Sequence, residues 1–240
     1  KLGALTANRA VNLDLLDDIN TISIAGGAST LTVTNAATGY ALTTTAAMTA
    51  STSAMAVDGT ADSATLTVSG ATTLAAGSHT LTGFETVNVA VDDSNLVVVK
   101  DAVDHTITLV AASGKTINFS GDAQATITNT NTAWTTIDAS GMTSTKNSVT
   151  WQTIGALAGN ATITGSAGAD DIGSTANTAA KALTMDGGTG QDTLYGGAGN
   201  DTITDTSSET GGAGNKLYGN AGNDSITGGA AIDSIDGGAG

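Results

Sequence analysis

The chain has 240 residues, 32 of them glycine, with aromatic residues at only 3%, no proline and no cysteine, and 22 Asp and Glu against 7 Lys and Arg. So few aromatics, with an apolar fraction made mostly of Ala and Val, exclude an ordinary globular core, and the missing cysteines exclude disulfide staples. A formal net charge of −15 argues against nucleic acid or an anionic membrane as partner and points to cations.

Nowhere is there a run of about 18 apolar residues that would cross a bilayer as a helix. Lys1 to Ala10 lacks the charged-then-apolar plan of a secretory signal, and Gly237 to Gly240 repeats the opening of a repeat unit, so the chain is expected to be a fragment of a longer protein. Lack of cysteine suits an exported bacterial protein and equally a reduced cytosolic one. Composition leaves the compartment open.

Residues 1–84 form a first, irregular β-rich segment, expected to be early rungs of a repeat fold. Strands are predicted at Thr21 to Ile24, Thr30 to Val33 and Thr65 to Val68, unevenly spaced. Ala46 to Ala56 is low in complexity, but its Ser and Thr content and its lack of Leu argue against a helix.

Residues 85–160 carry a ten-residue repeat. An apolar residue recurs at Val87, Val97, Ile107, Ile117, Ile127 and Ile137, followed two places later by Val89, Val99, Leu109, Phe119, Asn129 and Ala139. An apolar pair at i and i+2 with Thr or Asn between them is a short strand with one buried face, and Ser113-Gly114 and Ser120-Gly121-Asp122 are turn formers. Strands this short must stack to be stable, which predicts an all-β fold, a right-handed parallel β-helix or β-roll solenoid with two units per coil. A rung then takes about 20 residues and advances about 4.8 Å. The competing β-sandwich is disfavoured by the constant spacing.

Catalytic motifs fail. His79 and His105, the only histidines, lie in no zinc-binding pattern, and Ser113-Gly114-Lys115-Thr116 lacks the upstream glycine of a phosphate loop. The best catalytic candidate is the charged stretch Asp92, Asp93, Lys100, Asp101, Asp104 and His105, where paired carboxylates could act as acid and base. Solvated turns or a second metal cluster of Asp101, Asp104 and Asp122 are the alternatives, because on a 20-residue rung those residues stack.

Residues 161–240 shorten the period to nine. Gly187-Gly188-Thr189-Gly190-Gln191-Asp192-Thr193-Leu194-Tyr195 runs into Gly196-Gly197-Ala198-Gly199-Asn200-Asp201-Thr202-Ile203-Thr204, and Gly219-Asn220-Ala221-Gly222-Asn223-Asp224-Ser225-Ile226-Thr227 repeats the plan. Gly165 to Gly173 is an earlier copy with Asp170, and Gly228 to Asp236 a later one with Asp233. Glycines permit positive φ and bring carbonyls inward, the aspartate adds a hard carboxylate oxygen, and the apolar residue two places on enters the core. Stacked acidic turns about 5 Å apart would repel one another without a cation between them.

This array resembles the RTX (repeats in toxin) family, whose signature is Gly-Gly-x-Gly-x-Asp-x-apolar-x and which binds several Ca2+ ions. The resemblance implies that ions sit between turns n and n+2, so that Asp201 shares an ion with Asp224, Asp224 with the turn opening at Gly237, and Asp192 with the turn around Asn215. Carried onto this sequence, the metal positions are Gly187, Gly188, Thr189, Gly190 and Asp192 in one unit, and Gly196, Gly197, Ala198, Gly199 and Asp201 in the next. They continue at Asn215, at Gly219, Asn220, Ala221, Gly222 and Asp224, and at Gly228, Asp233 and Gly237. Departures from the pattern are Asn215 in place of aspartate, the interruption from Asp205 to Glu209, Ala231 in place of glycine, and Ser174 to Asp186, which fits only through Leu183 and Met185. That stretch puts the pairing of Asp170 in question.

Gly83-Phe84-Glu85-Thr86-Val87-Asn88-Val89, Thr136-Ile137-Asp138-Ala139-Ser140-Gly141 and the repeats after Gly165 together resemble bacterial surface-layer proteins of the RTX class. That resemblance implies a non-enzymatic structural protein, exported by type I secretion machinery and self-associating into a calcium-dependent lattice on the cell surface. Cell-surface polysaccharide would be met through regions outside these residues. An RTX adhesin or exoprotein module, or the roll of a secreted hydrolase or epimerase, is the alternative.

Overall fold

The computed structural model describes residues 6–15, 19–25, 27–94, 103–129, 132–144, 147–151, 157–206 and 213–240. Its strands alternate between two sheets along the chain, and every paired neighbour runs parallel. One sheet has eleven strands, Arg9–Asn12, Gly27–Ala36, Met48–Met55, Ala75–Thr82, Asp104–Val110, Gln124–Asn129, Asn147–Trp151, Ala169–Ile172, Thr193–Tyr195, Ala213–Tyr218 and Ile232–Asp236. The other has ten, Thr21–Ile24, Tyr40–Thr44, Ser63–Ser69, Thr86–Asp92, Thr116–Gly121, Thr136–Met142, Ala161–Thr164, Leu183–Asp186, Thr202–Thr204 and Ser225–Thr227. The result is a parallel β-solenoid with two strands per coil. The sandwich alternative falls, because hairpins would pair neighbouring strands antiparallel.

Both sheets run unbroken into the nonapeptides, so the described strands from Arg9–Asn12 to Ala75–Thr82 supply rungs like the rest. Ala46 to Ala56 is the strand Met48–Met55 and its flanks, as its β-compatible Ser and Thr require. The 20-residue rung holds where Ile107 pairs with Ile127 and Ile117 with Ile137. It fails one step earlier, where Val87 pairs with Ile117 rather than with Ile107. Apolar spacing alone misassigns that rung, and Val97 and Val99 lie outside the described residues.

Alternation builds the core. In Thr86–Asp92 the side chains of Val87, Val89 and Val91 point inward and are fully buried, while Thr86, Asn88 and Ala90 face out. The few aromatics lie between rungs: Tyr40 stacks on Phe84 with ring centres 6.2 Å apart, and Phe119 meets Trp151 edge-on at 6.0 Å. Two polar contacts lie within the core, with the Ser51 hydroxyl 2.8 Å from His79 Nδ1 and Ser53 donating to the Tyr40 hydroxyl at 3.2 Å.

Toward the nonapeptides the core thins. Thr193–Tyr195 and Thr202–Thr204 are three residues long and bury one apolar side chain each, Leu194 and Ile203. Hydrophobic burial per residue is therefore smallest where acidic turns are densest, and another source of stability is needed there.

Candidate metal centre

Each turn of the array delivers its aspartate to the same place above the previous turn. On the side of the eleven-stranded sheet, the Val149 N–H donates to Asp170 Oδ1 at 2.8 Å, Asp170 N–H to Asp192 Oδ1 at 2.9 Å, Asp192 N–H to Asn215 Oδ1 at 2.6 Å, and Asn215 N–H to Asp233 Oδ1 at 2.8 Å. On the other side, Leu183 N–H donates to Asp201 Oδ1 at 2.7 Å and Asp201 N–H to Asp224 Oδ1 at 2.8 Å. Among them, Asp192 with Asn215 and Asp201 with Asp224 are turn pairs expected from the resemblance, with Asn215 standing in the aspartate's place.

The turn of Asp170 also stacks on that of Asp192, across the irregular stretch that put its pairing in question. Asp171 pairs with Thr193, so the residues from Ser174 to Asp186 fill the intervening half of a longer coil without shifting the register. A partner that sequence reasoning missed holds Asp170 as well: Ser166 donates its N–H to Oδ2 at 2.6 Å and its hydroxyl to both oxygens at 2.9 Å.

Glycines open space for the oxygens. A Cβ at Gly196 would lie 2.5 Å from Asp201 Oδ2 and 2.6 Å from the carbonyl oxygen of Gly219 in the next turn, and one at Gly219 would lie 2.6 Å from the carbonyl of Gly237. The first position of the repeat is thus where a carboxylate and a carbonyl from successive turns converge. At the third position the N–H is used to hold turns together, with Thr189 donating to the Ser166 carbonyl, Ala198 to Ala179 and Ala221 to Gly197. At the fourth position, a Cβ on Gly190, Gly199 or Gly222 would strike the backbone of the turn below.

Asp170, Asp192 and Asp201 are at most 2% exposed. Burial pushes the Asp170 carboxyl up to about 6, against the opposing pull of its Ser166 and Val149 hydrogen bonds. Burial also raises Asp201, with the Asp224 charge adding to it. Asp224 Oδ2 is buried with no hydrogen-bond partner. Buried carboxylates held close together cost free energy, and a cation between the turns removes that cost.

The donor set is oxygen only, carboxylates and backbone carbonyls, which suits a hard cation of irregular coordination such as calcium. Softer metals lack ligands here, since the chain has no cysteine and its two histidines, His79 and His105, are fully buried in the earlier rungs.

The structure places two members of the second cluster expected at Asp101, Asp104 and Asp122. Asp101 lies outside the described residues, and Asp104 pairs with Gln124 while its carboxylate accepts the Thr126 hydroxyl at 3.0 Å. Asp122 instead joins Asp92 and Asp93, with carboxylate oxygens within 4.8 Å of one another, because the longer coil sets Gly121 on Val91. Asp58, Asp62 and Glu85 form a similar group that sequence reasoning missed. Of the catalytic candidates, Lys100 also lies outside the described residues. His105 is buried, its Nδ1 accepting the Leu74 N–H at 3.2 Å and its Nε2 lying 3.2 Å from the Asp92 carbonyl, so the ring ties rungs together.

A parallel β-solenoid whose stacked turns gather buried aspartates and carbonyls belongs to the class of calcium-binding β-rolls. The RTX calcium-binding nonapeptide repeat matches this chain in four copies, over residues 184–204 and 210–240, and the array is a member of that family. The copy at Gly165 to Gly173 lies before the matched residues but stacks in the same ladder. RTX repeats are typical of type I secreted extracellular proteins. No curated protein matches the chain.

Proposed function

We propose that this chain is part of a calcium-dependent structural protein of the bacterial cell surface, a surface-layer subunit that folds after type I export and then associates with its own copies. The observation that carries this reading is a continuous column of small hydroxyls on the outer face of the ten-stranded sheet. Ser63, Thr86, Thr116, Thr136, Thr162, Thr184, Thr202 and Ser225 follow one another in register through eight strands. Repeating at the interstrand spacing of about 4.8 Å and free of charge, such a column suits side-by-side packing of identical rods. Calcium also offsets the net charge of −15 that keeps copies apart.

On this reading the protein has a structural rather than a catalytic role, and cell-surface polysaccharide is met through parts of the protein beyond these residues. The test is electron microscopy and light scattering on the full-length protein, in millimolar calcium and in chelator. Ordered sheets in calcium that disperse in chelator are expected. A calcium-loaded protein that stays monomeric at high concentration would sink the lattice and leave the adhesin or exoprotein module.

A further inference from the structure

Asn220 stands at the second position of its turn, where Gly188, Gly197 and Gly238 stand in other turns. Its φ is +68°, in the left-handed region that glycine adopts freely and asparagine tolerates. Glycine would satisfy the backbone equally well, so the side chain has a separate role. Its Nδ2 donates to the carbonyl oxygen of Gly196 at 2.9 Å and to that of Ser174 at 3.4 Å. Both partners are pure acceptors, so only the NH2 end of the amide can face them.

Ser174 and Gly196 open two successive turns on this side of the roll, since the strands that precede them pair Ile172 with Leu194. The amide of a third turn therefore bridges carbonyls of the two turns beneath it. A calcium ion between those two turns would draw on carbonyls of this kind. This pair is also short of carboxylate: Leu183 stands in the aspartate register, and the Asp201 oxygens already accept from Leu183 N–H at 2.7 Å and Gly197 N–H at 2.6 Å.

We propose that Asn220 is a built-in substitute for a metal ion, its amide bridging Ser174 and Gly196 and keeping calcium out from between their turns. The first calcium position on this side then lies between Asp201 and Asp224. The proposal rests on the calcium-binding reading of the turns above. Because the bridge is an amide, it holds the roll to the preceding rungs with or without calcium, and the joint stays closed when calcium is withdrawn.

The experiment measures calcium stoichiometry of the full chain by titration calorimetry, for the parent, Asn220→Asp and Asn220→Gly. Asn220→Asp puts an oxygen where the donor was and is expected to bind one more ion than the parent. Asn220→Gly keeps the backbone shape and is expected to lower the melting temperature in chelator. Parental stoichiometry for Asn220→Asp, or an unchanged melting temperature for Asn220→Gly, overturns the proposal. Anomalous scattering from calcium-loaded crystals of the parent decides independently of either variant: an ion between the Ser174 and Gly196 turns overturns it, and ions at Asp201 and Asp224 alone on this side support it. A parent that binds no calcium at all overturns the underlying reading and the proposal with it.

Discussion

The Asp201 N–H donates to Oδ1 of Asp224, 2.8 Å away and 23 residues further on. One carboxylate thereby stitches its turn to the turn below and presents its charge to the space between them. The two roles separate by substitution, because an amide keeps the acceptor and loses the charge. Asn215 already does this, accepting from Asp192 N–H at 2.6 Å.

Asp224→Asn should accordingly keep the turn ladder and weaken calcium binding, roughly tenfold or more for the ions it touches. Asn215→Asp should do the reverse and tighten the site beside Asp192. Calcium titration followed by circular dichroism checks both; equal affinities for Asp224→Asn and the parent would show that the carboxylate charge is not used.

Gly196→Ala tests geometry without touching charge. The added methyl would meet Asp201 Oδ2 and the Gly219 carbonyl, both inside the slot. The expected result is loss of calcium response at this turn with the signal of the earlier rungs intact. Alanine at Gly159, where a Cβ meets nothing within 4 Å, is the control expected to behave like the parent.

Calcium dependence should divide the molecule. The rungs from Ser63 to Asn129 bury several apolar residues per coil, whereas Leu194, Ile203 and Leu217 carry the array nearly alone. Hydrogen exchange in chelator should show the earlier rungs protected and residues 221–240, beyond the Asn220 bridge, exchanging freely, with protection appearing in about millimolar calcium. Equal protection of both parts in chelator would mean that the roll folds without metal.

His79 predicts an acid limit. Burial lowers it from 6.5 to about 4, so the unfolded chain takes up its proton first as pH falls. The stability that neutral His79 preserves is complete above pH 6.5 and is lost progressively as pH drops toward 4, by about 3 kcal/mol in all. His79→Gln keeps a partner for Ser51 without a titrating group. Its melting temperature should fall less between pH 7 and pH 4.5 than that of the parent, and parallel pH profiles would refute the assignment.

How much of this was legible in the sequence follows from what is local. Glycine at the first repeat position, aspartate at the sixth and an apolar residue at the eighth are requirements of a single turn and strand, so the aspartate-bearing turns and the stacked β architecture could be read from residue spacing. Which turns meet is not local. The register of Val87 on Ile117, the meeting of Asp122 with Asp92 and Asp93, and the survival of the Asp170 ladder across an irregular coil all depend on how much chain lies outside the sheets. Parallel pairing permits coils of different length provided that the strands realign, and only the folded chain shows where they do. Asn220 makes the point at one residue: its sequence position assigns it to the turn pattern, while its contact with Ser174, 46 residues away, exists only because three turns are stacked.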